Sequence, residues 1–511
     1  MAFEDEVREK CQKLISQHEE YAREIRDDDA RRRRRTGVGH RGIILRPSYW
    51  SIDRAFNPYK VRAHADQISR AIKAKLRNHD YRPYNPIAYE VPKSDGSKRI
   101  VSVFTIADAV VSRRVYRSLL EKNKSRFSAY SYAYRDDLTA HDAILNIGAD
   151  LRTGRRYFLA EYDFSKYFDS ISHEYLWRVL EEKQFLISPL ERHVLTGFLN
   201  SEIQVQSTYT RHIQKQRDAS THGVPQGTSI SLFLANVAAW ELDRALERLG
   251  VGFARYADDT LIWSDDYTRI CDAVQVLSAT ASNMGAALNF KKSHGISIYA
   301  PNGSPAEFNP KRTVEFVGYR FGAGGRGLRA SVVERLKRRI AYIVWSNLLE
   351  PLSKGGVVSA RVAPSVDRDY LVMIGQLRRY LYGDLNEERL SRLIQGRSRR
   401  VRFKGFMSYF PMVDDDEQLK ALDGWMLHTV YTSLRRRTAI LESSGLSSLP
   451  VPHGASKAEL LIARAQTHSQ VKLDLSLPSF VRVGRAIRRV AAAHGPNAVG
   501  RTGGPQNYQY E

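Results

Sequence analysis

The chain has 511 residues, 42% of them hydrophobic, and carries 79 Lys plus Arg against 56 Asp plus Glu, a net charge of +23. An excess that large repels itself in a compact fold and points to a polyanionic partner, nucleic acid first. Two cysteines, Cys11 and Cys271, exclude a zinc cluster or disulfide framework, and no apolar run reaches the ~18 residues of a membrane span, so a cytoplasmic protein with no membrane partner is expected.

In chain order, residues 1–30 read as an amphipathic helix rich in Glu and Arg. Five arginines follow, Arg31 to Arg35, either a solvated charge run or an arm against a nucleic-acid backbone. An alternating strand (Ile87, Tyr89, Val91), a turn at Lys93 to Gly96, a second strand through Ile100 and Val103, and a helix over 106–120 come next. A strand from Tyr157 to Asp163 leads to a helix from about Ser172. A Gly-bounded loop enters a long apolar helix over 223–249, and a hairpin spans 251–264. A helix over 267–285 and short strands near 296 and 314–321 close this part. Basic helical stretches are predicted near 332–350, 370–382, 417–434, 456–468 and 480–493. The implied division is 1–84 helical and basic, 85–330 mixed, 331–490 helical, and 491–511 a flexible tail.

The acids carry the chemistry. Asp258 and Asp259 occupy the turn of the predicted hairpin, where adjacent carboxylates repel unless a cation sits on them. Asp163 ends an apolar strand, a costly place for an uncompensated charge. Neighbouring strands would bring these tips together as a hard-oxygen site for Mg²⁺. Two such ions activate a hydroxyl and stabilise a leaving oxygen in phosphoryl transfer.

Seven ordered blocks stand along the chain: KSDGSKRIVSVFTIADAVV, SAYSYAYRDDLTAHDAI, LAEYDFSKYFDSI, GVPQGTSISLFLANV, RYADDTLIW, LNFKKSHG and VEFVGYRF. In this order they resemble a reverse transcriptase over about residues 85–325. The resemblance implies an α+β right-hand fold, fingers and palm, followed by an all-α basic C-terminal module in place of the thumb. It implies that Asp163 and Asp258 ligate two Mg²⁺ ions (Mn²⁺ as substitute), with Asp259 assisting and the Phe164 carbonyl as a further ligand. Phe168 falls where the family places a steric gate against the 2′-hydroxyl. Gln226 and Gly227 would meet the incoming dNTP, and Lys98 and Arg99 its triphosphate. Lys292, with Lys291 as the alternative, would protonate the leaving pyrophosphate. Val317 and Gly318 would belong to the hairpin that grips the primer.

Leu232 stands where many reverse transcriptases carry proline after the Gln-Gly loop. In this the chain resembles the abortive-infection and unknown-group bacterial enzymes of antiphage defence. The expectation is an RNA-directed DNA polymerase working with a partner non-coding RNA as template or scaffold, making DNA, and plausible as a homo-oligomer. A mobile-element enzyme, intron-type or diversity-generating, and a non-catalytic RNA-binding descendant are the alternatives. In the resembling class some members start DNA on a tyrosine, and Tyr508 and Tyr510 in the tail are candidates.

Overall fold

A computed structural model describes residues 2–37, 43–92, 96, 98–151, 155–210, 221–289, 295–303, 305–355, 361–383, 385–397, 405–466 and 472–499. The chain opens on helix α1 (Phe3–Thr36), whose Phe3, Val7, Cys11 and Ile15 recur every fourth residue and are buried. This helix runs past the 30 residues expected of it and takes up the arginine run in its last turns. There Arg33 pairs with Asp29 at 3.0 Å, and Arg32 pairs with the buried Glu350 in the C-terminal half.

Short helices α2 (Pro58–Ala63) and α3 (Ala65–Arg77) pack on α1. Strands β1 (Ile87–Pro92) and β2 (Lys98–Val103) form an antiparallel pair. Helix α4 (Ile106–Asn123) starts where the Thr105 hydroxyl accepts from the Asp108 amide. Then come α5 (Ala140–Leu151), β3 (Tyr157–Tyr162), α6 (Tyr167–Ser170), α7 (His173–Glu182) and α8 (Pro189–Leu199). The long apolar helix expected after 223 is two helices, α9 (Ser229–Ala238) and α10 (Trp240–Leu249), separated at Ala239. The hairpin β4 (Gly252–Tyr256) and β5 (Asp259–Ser264), then α11 (Tyr267–Met284), β6 (Gly295–Tyr299) and β7 (Pro310–Lys311), complete the central part.

The central sheet has the order β4-β5-β3-β6-β7, antiparallel except for β6 with β7. Its two faces follow from strand alternation. Leu159, Leu261 and Trp263 join the core built with the C-terminal helices, while Ala160 and Ile262 join the core built with α4, α7, α9 and α11. Each fully buried Leu or Ile here contributes about 1.5–3 kcal/mol, so the sheet is clamped from both sides.

A separate three-stranded sheet, β8 (Val314–Phe316), β9 (Tyr319–Gly322) and β10 (Gly325–Leu328), leads into α12 (Ala330–Leu348) and α13 (Glu350–Gly355). The rest is β11 (Val362–Ala363), β12 (Val366–Asp367), α14 (Arg368–Tyr382), α15 (Glu387–Ile394), α16 (Asp416–Ser443), α17 (Lys457–Leu460), β13 (Arg464–Gln466), β14 (Lys472–Asp474) and α18 (Phe480–His494). This region is helical as expected, with two small hairpins that an all-α reading leaves out. The helix expected over 456–468 ends at Leu460, because Arg464 to Gln466 pair with Lys472 to Asp474 instead. No helix among the described residues is long and apolar enough to cross a membrane.

Candidate active site

The sheet register assembles the acids. Tyr162 pairs with Thr260 across β3 and β5. Asp163 directly follows the end of β3 and Asp259 is the first residue of β5, and both line one cleft. The backbone carbonyl of Asp163 accepts from the Asn289 amide at 2.8 Å, so the strand tip is held on its other side too. Asp258 lies in the two-residue turn between β4 and β5, since Tyr256 pairs with Asp259.

That turn is strained. Ala257 has φ +62°. A positive φ at the first turn residue matches a type II′ hairpin, where glycine is usual. The strain is opposed from below by Arg255, whose Nη1 donates to the Ala257 carbonyl at 3.0 Å. The same guanidinium donates to both carboxylate oxygens of Asp243 at 2.7 Å and to Ser131 Oγ at 2.6 Å.

Burial in the cleft, then the charges of Asp258 and Asp163, push the Asp259 carboxyl up to about 6, while Arg329 pulls the other way. Asp163 and Asp259 border a cleft of about 430 Å³ that Lys311, Glu315, Val317 and Arg329 also line. Lys311 pairs with Glu161, and Arg329 with Glu315 at 2.8 Å. Among the described residues no three His, Cys, Asp or Glu side chains are gathered closely enough to hold an ion. The donors nevertheless fit a hard divalent cation in kind. They are carboxylates, with Asp259 raised by desolvation first and then by the charges of Asp258 and Asp163, and oxygen-only sets of this type take Mg²⁺.

Phe164 is buried, bridged to Leu288 on the backbone, with its ring 5.2 Å from that of Tyr167. Phe168, half-buried on α6, stands edge-on to Tyr167 at 5.7 Å and to Tyr134 at 6.5 Å. Its carbonyl accepts from the Val224 amide at 2.7 Å, which draws the 223–227 loop against it. Gln226 in that loop donates to Asp169 Oδ1 at 3.1 Å. Its carbonyl accepts from the Ser102 amide at 2.6 Å, so the loop also joins β2. Gly227, at φ +117°, has no room for a side chain: a Cβ would stand 2.6 Å from the Ser102 carbonyl. The close approach its glycine permits is to strand β2.

Lys98 and Arg99 are both exposed near the outer end of β2, Lys98 paired with Glu90 at 2.5 Å. At ~3.3 Å per residue, Arg99 lies about 10 Å along the strand from Ser102. Lys291, Lys292, Tyr508 and Tyr510 lie outside the described residues. Val317 lines the acid cleft, and Val317 and Gly318 both have positive φ in the β8–β9 turn.

A reverse transcriptase (RNA-dependent DNA polymerase) family model matches residues 91–321, just under half of the chain. Over these residues the chain is similar to the reverse transcriptase domain. The central sheet with its helices is the palm, and β1 with β2 belongs to the fingers. The Escherichia coli K12 protein YkfC is 25% identical over 39% of this chain and 50% of its own length. The COX1/OXI3 intron 2 protein of Saccharomyces cerevisiae is 26% identical over 31% of this chain and 17% of its own. The chain thus spans half or less of these relatives. A solved Candida tropicalis telomerase bound to a fragment of telomeric RNA is 12% identical, covers 78% of this chain and 67% of its own, and has a TM-score of 0.36.

The motif blocks contain Arg255 but give no hint of its work beneath the reverse transcriptase turn. The signal available was its position, an inward-facing charge in a buried strand, which demands a partner. Asp169, Lys311 and Arg329 carried no such signal, since their neighbours come from distant segments.

Proposed function

We propose that the chain is an RNA-directed DNA polymerase whose palm acids hold the catalytic ions. The reading is supported above all by the β3–β5 pairing, which ends at Tyr162 and Thr260 so that Asp163 and Asp259 share one cleft beside the Asp258 turn, within the span that resembles a reverse transcriptase. Asp163, Asp258 and Asp259, with the Phe164 carbonyl, would hold two divalent cations. When bound, these supply Lewis-acid activation of the attacking hydroxyl and charge stabilisation at the leaving oxygen. The remaining steps belong to the chain. Phe168, braced by Tyr134 and Tyr167, excludes a 2′-hydroxyl. The 223–227 loop, fixed to β2 and to α6, forms the wall against which a dNTP is oriented, with Gln226 as its polar contact. Lys98 and Arg99 meet the triphosphate as the fingers approach, and Lys292 delivers a proton to pyrophosphate.

The test is primer extension on an RNA template with the purified full chain. Wild type should extend the primer, and Asp163→Asn and Asp258→Asn should each lower the rate by about a thousandfold or more, as for loss of a metal or electrostatic anchor. Full activity in either variant overturns the metal assignment.

For biological role, we propose antiphage defence with a partner non-coding RNA. Leu232 in place of proline and the basic helical C-terminal region support this. The intron-encoded relative supports a second reading, a mobile-element enzyme. Sequencing the RNA that copurifies decides between them: one discrete species encoded beside the gene favours defence, and an intron transcript favours the mobile element.

A further inference from the structure

A cleft of about 320 Å³, lined by none of the palm acids, opens between α2, α3 and the start of α4. Its floor is apolar, formed by Val61, Ile68, Ile72 and the buried Tyr81. Its walls carry five basic side chains: Arg54, Lys60, His64, Lys75 and Arg82. None of these five is hydrogen-bonded or ion-paired through its side chain among the described residues. Two cations that face α1 are satisfied: Arg62 donates to Gln12 at 2.6 Å and Lys73 pairs with Glu4 at 2.6 Å, both partners lying on α1.

The one acid in the cleft does not neutralise it. Asp108 is buried at its base and accepts from Tyr81 Oη and Thr105 Oγ1 at 2.7 Å and from the Tyr84 amide at 3.1 Å. Those donors occupy its oxygens, and only Lys75 feels its charge at longer range. An apolar floor under a basic rim fits a flat apolar body joined to an anion. The volume lies at the lower end of the ~300–1,000 Å³ of ligand sites.

We infer that this cleft is a nucleoside phosphate site separate from the polymerase centre. The base lies on Val61, Ile68 and Ile72, and the phosphate meets Lys75, Arg82 and the α2-side cations. The ligand is either a free nucleotide or one nucleotide of a single-stranded RNA. Because β2 runs directly into α4 past Thr105, occupancy here bears on the same segment that carries the 223–227 loop.

The experiment is photolabelling of the full chain in divalent-free buffer, with 8-azidoadenosine monophosphate and with a short single-stranded RNA carrying one 8-azidoadenosine. Labelled peptides are mapped by mass spectrometry. Label within residues 54–84 or 105–108 is expected. It should weaken more than about tenfold in Lys75→Glu/Arg82→Glu, which loses two charge-assisted contacts. Ile72→Trp, which fills the floor without changing charge, should weaken it comparably and so separates a shaped site from general basicity. Circular dichroism confirms that both variants are folded. Label from both probes identifies a free-nucleotide site, and label from the RNA alone identifies a strand site. Label confined to other peptides, or unchanged in both variants, overturns the inference.

Discussion

Arg255 and Asp243 form a bidentate ion pair with both N–O distances at 2.7 Å and both side chains 1% exposed. The pair sits directly beneath the turn that carries Asp258. Its guanidinium reaches Ala257 as well, so the pair fixes a backbone conformation that alanine does not favour. Removing one partner leaves a buried charge uncompensated, which costs about 3–5 kcal/mol. Arg255→Ala and Asp243→Ala should each lose stability of that order in chemical denaturation. Replacing both partners, as Arg255→Met/Asp243→Leu, should recover much of it. Under the proposed function the double variant should still polymerise more slowly, because nothing then holds the Ala257 carbonyl.

Gly227 offers a sharper backbone test. A Cβ would also stand 2.9 Å from Val101 Cγ1, and φ +117° is closed to an L side chain without strain. Gly227→Ala should therefore cost about 1–3 kcal/mol and push the loop off β2. Under the proposed function the KM for dNTP should rise more than kcat falls, read from steady-state primer extension. An unchanged KM with intact stability would show that the loop tolerates the displacement.

Much of this was legible in the sequence because it is local. Alternation gave β1, a run of apolar residues gave β3, and the apolar stretches flanking Asp258 and Asp259 gave the β4–β5 hairpin, although Asp259 lies in β5 and only Asp258 in the turn. What was not legible depends on distant segments meeting. The Gln226 side chain meets Asp169, and its carbonyl meets Ser102, contacts that no spacing rule encodes. Ala239 ended a helix whose apolar run continues through it, since α9 packs on α4 and α7 while α10 turns toward α11. Residues 464–466 fall in a stretch, 456–468, that reads as helical, yet Leu475 is buried and its amide bonds the Ala463 carbonyl at 2.9 Å, which favours the hairpin.

Phe168 supplies a test of selectivity. Its ring stands edge-on to Tyr134 and Tyr167, which brace it. Under the proposed function, Phe168→Ala should raise kcat/KM for ribonucleotides relative to deoxynucleotides by about tenfold or more, as expected of a steric gate. The ratio is measured on one template with matched nucleotides. An unaltered ratio would return Phe168 to the role of a packing residue.

The C-terminal half should be sensitive to acid at one identifiable point. Asp367 caps α14, accepting from the Asp369 amide at 2.9 Å. It also accepts from Arg437 Nε at 2.6 Å and pairs with His453 Nε2 at 2.9 Å. Burial alone would raise its carboxyl, but bonds from His453 and Arg437 overcome this and hold it at about 2. Arg437 in turn donates to the Leu348 carbonyl at 2.9 Å, tying the end of α12 to α14 and α16. A carboxyl whose folded value lies below its unfolded value of ~3.9 stabilises the fold above that pH and ceases to do so as pH falls through the folded value. The contribution is about 2–3 kcal/mol, complete above pH ~4 and lost toward pH ~2. Hydrogen exchange in α14 and α16 should therefore accelerate across that window in wild type. In Asp367→Asn the same helices should exchange faster already at neutral pH and show a flatter response to acid. If the variant keeps the wild-type acid response, the stabilising carboxylate lies elsewhere.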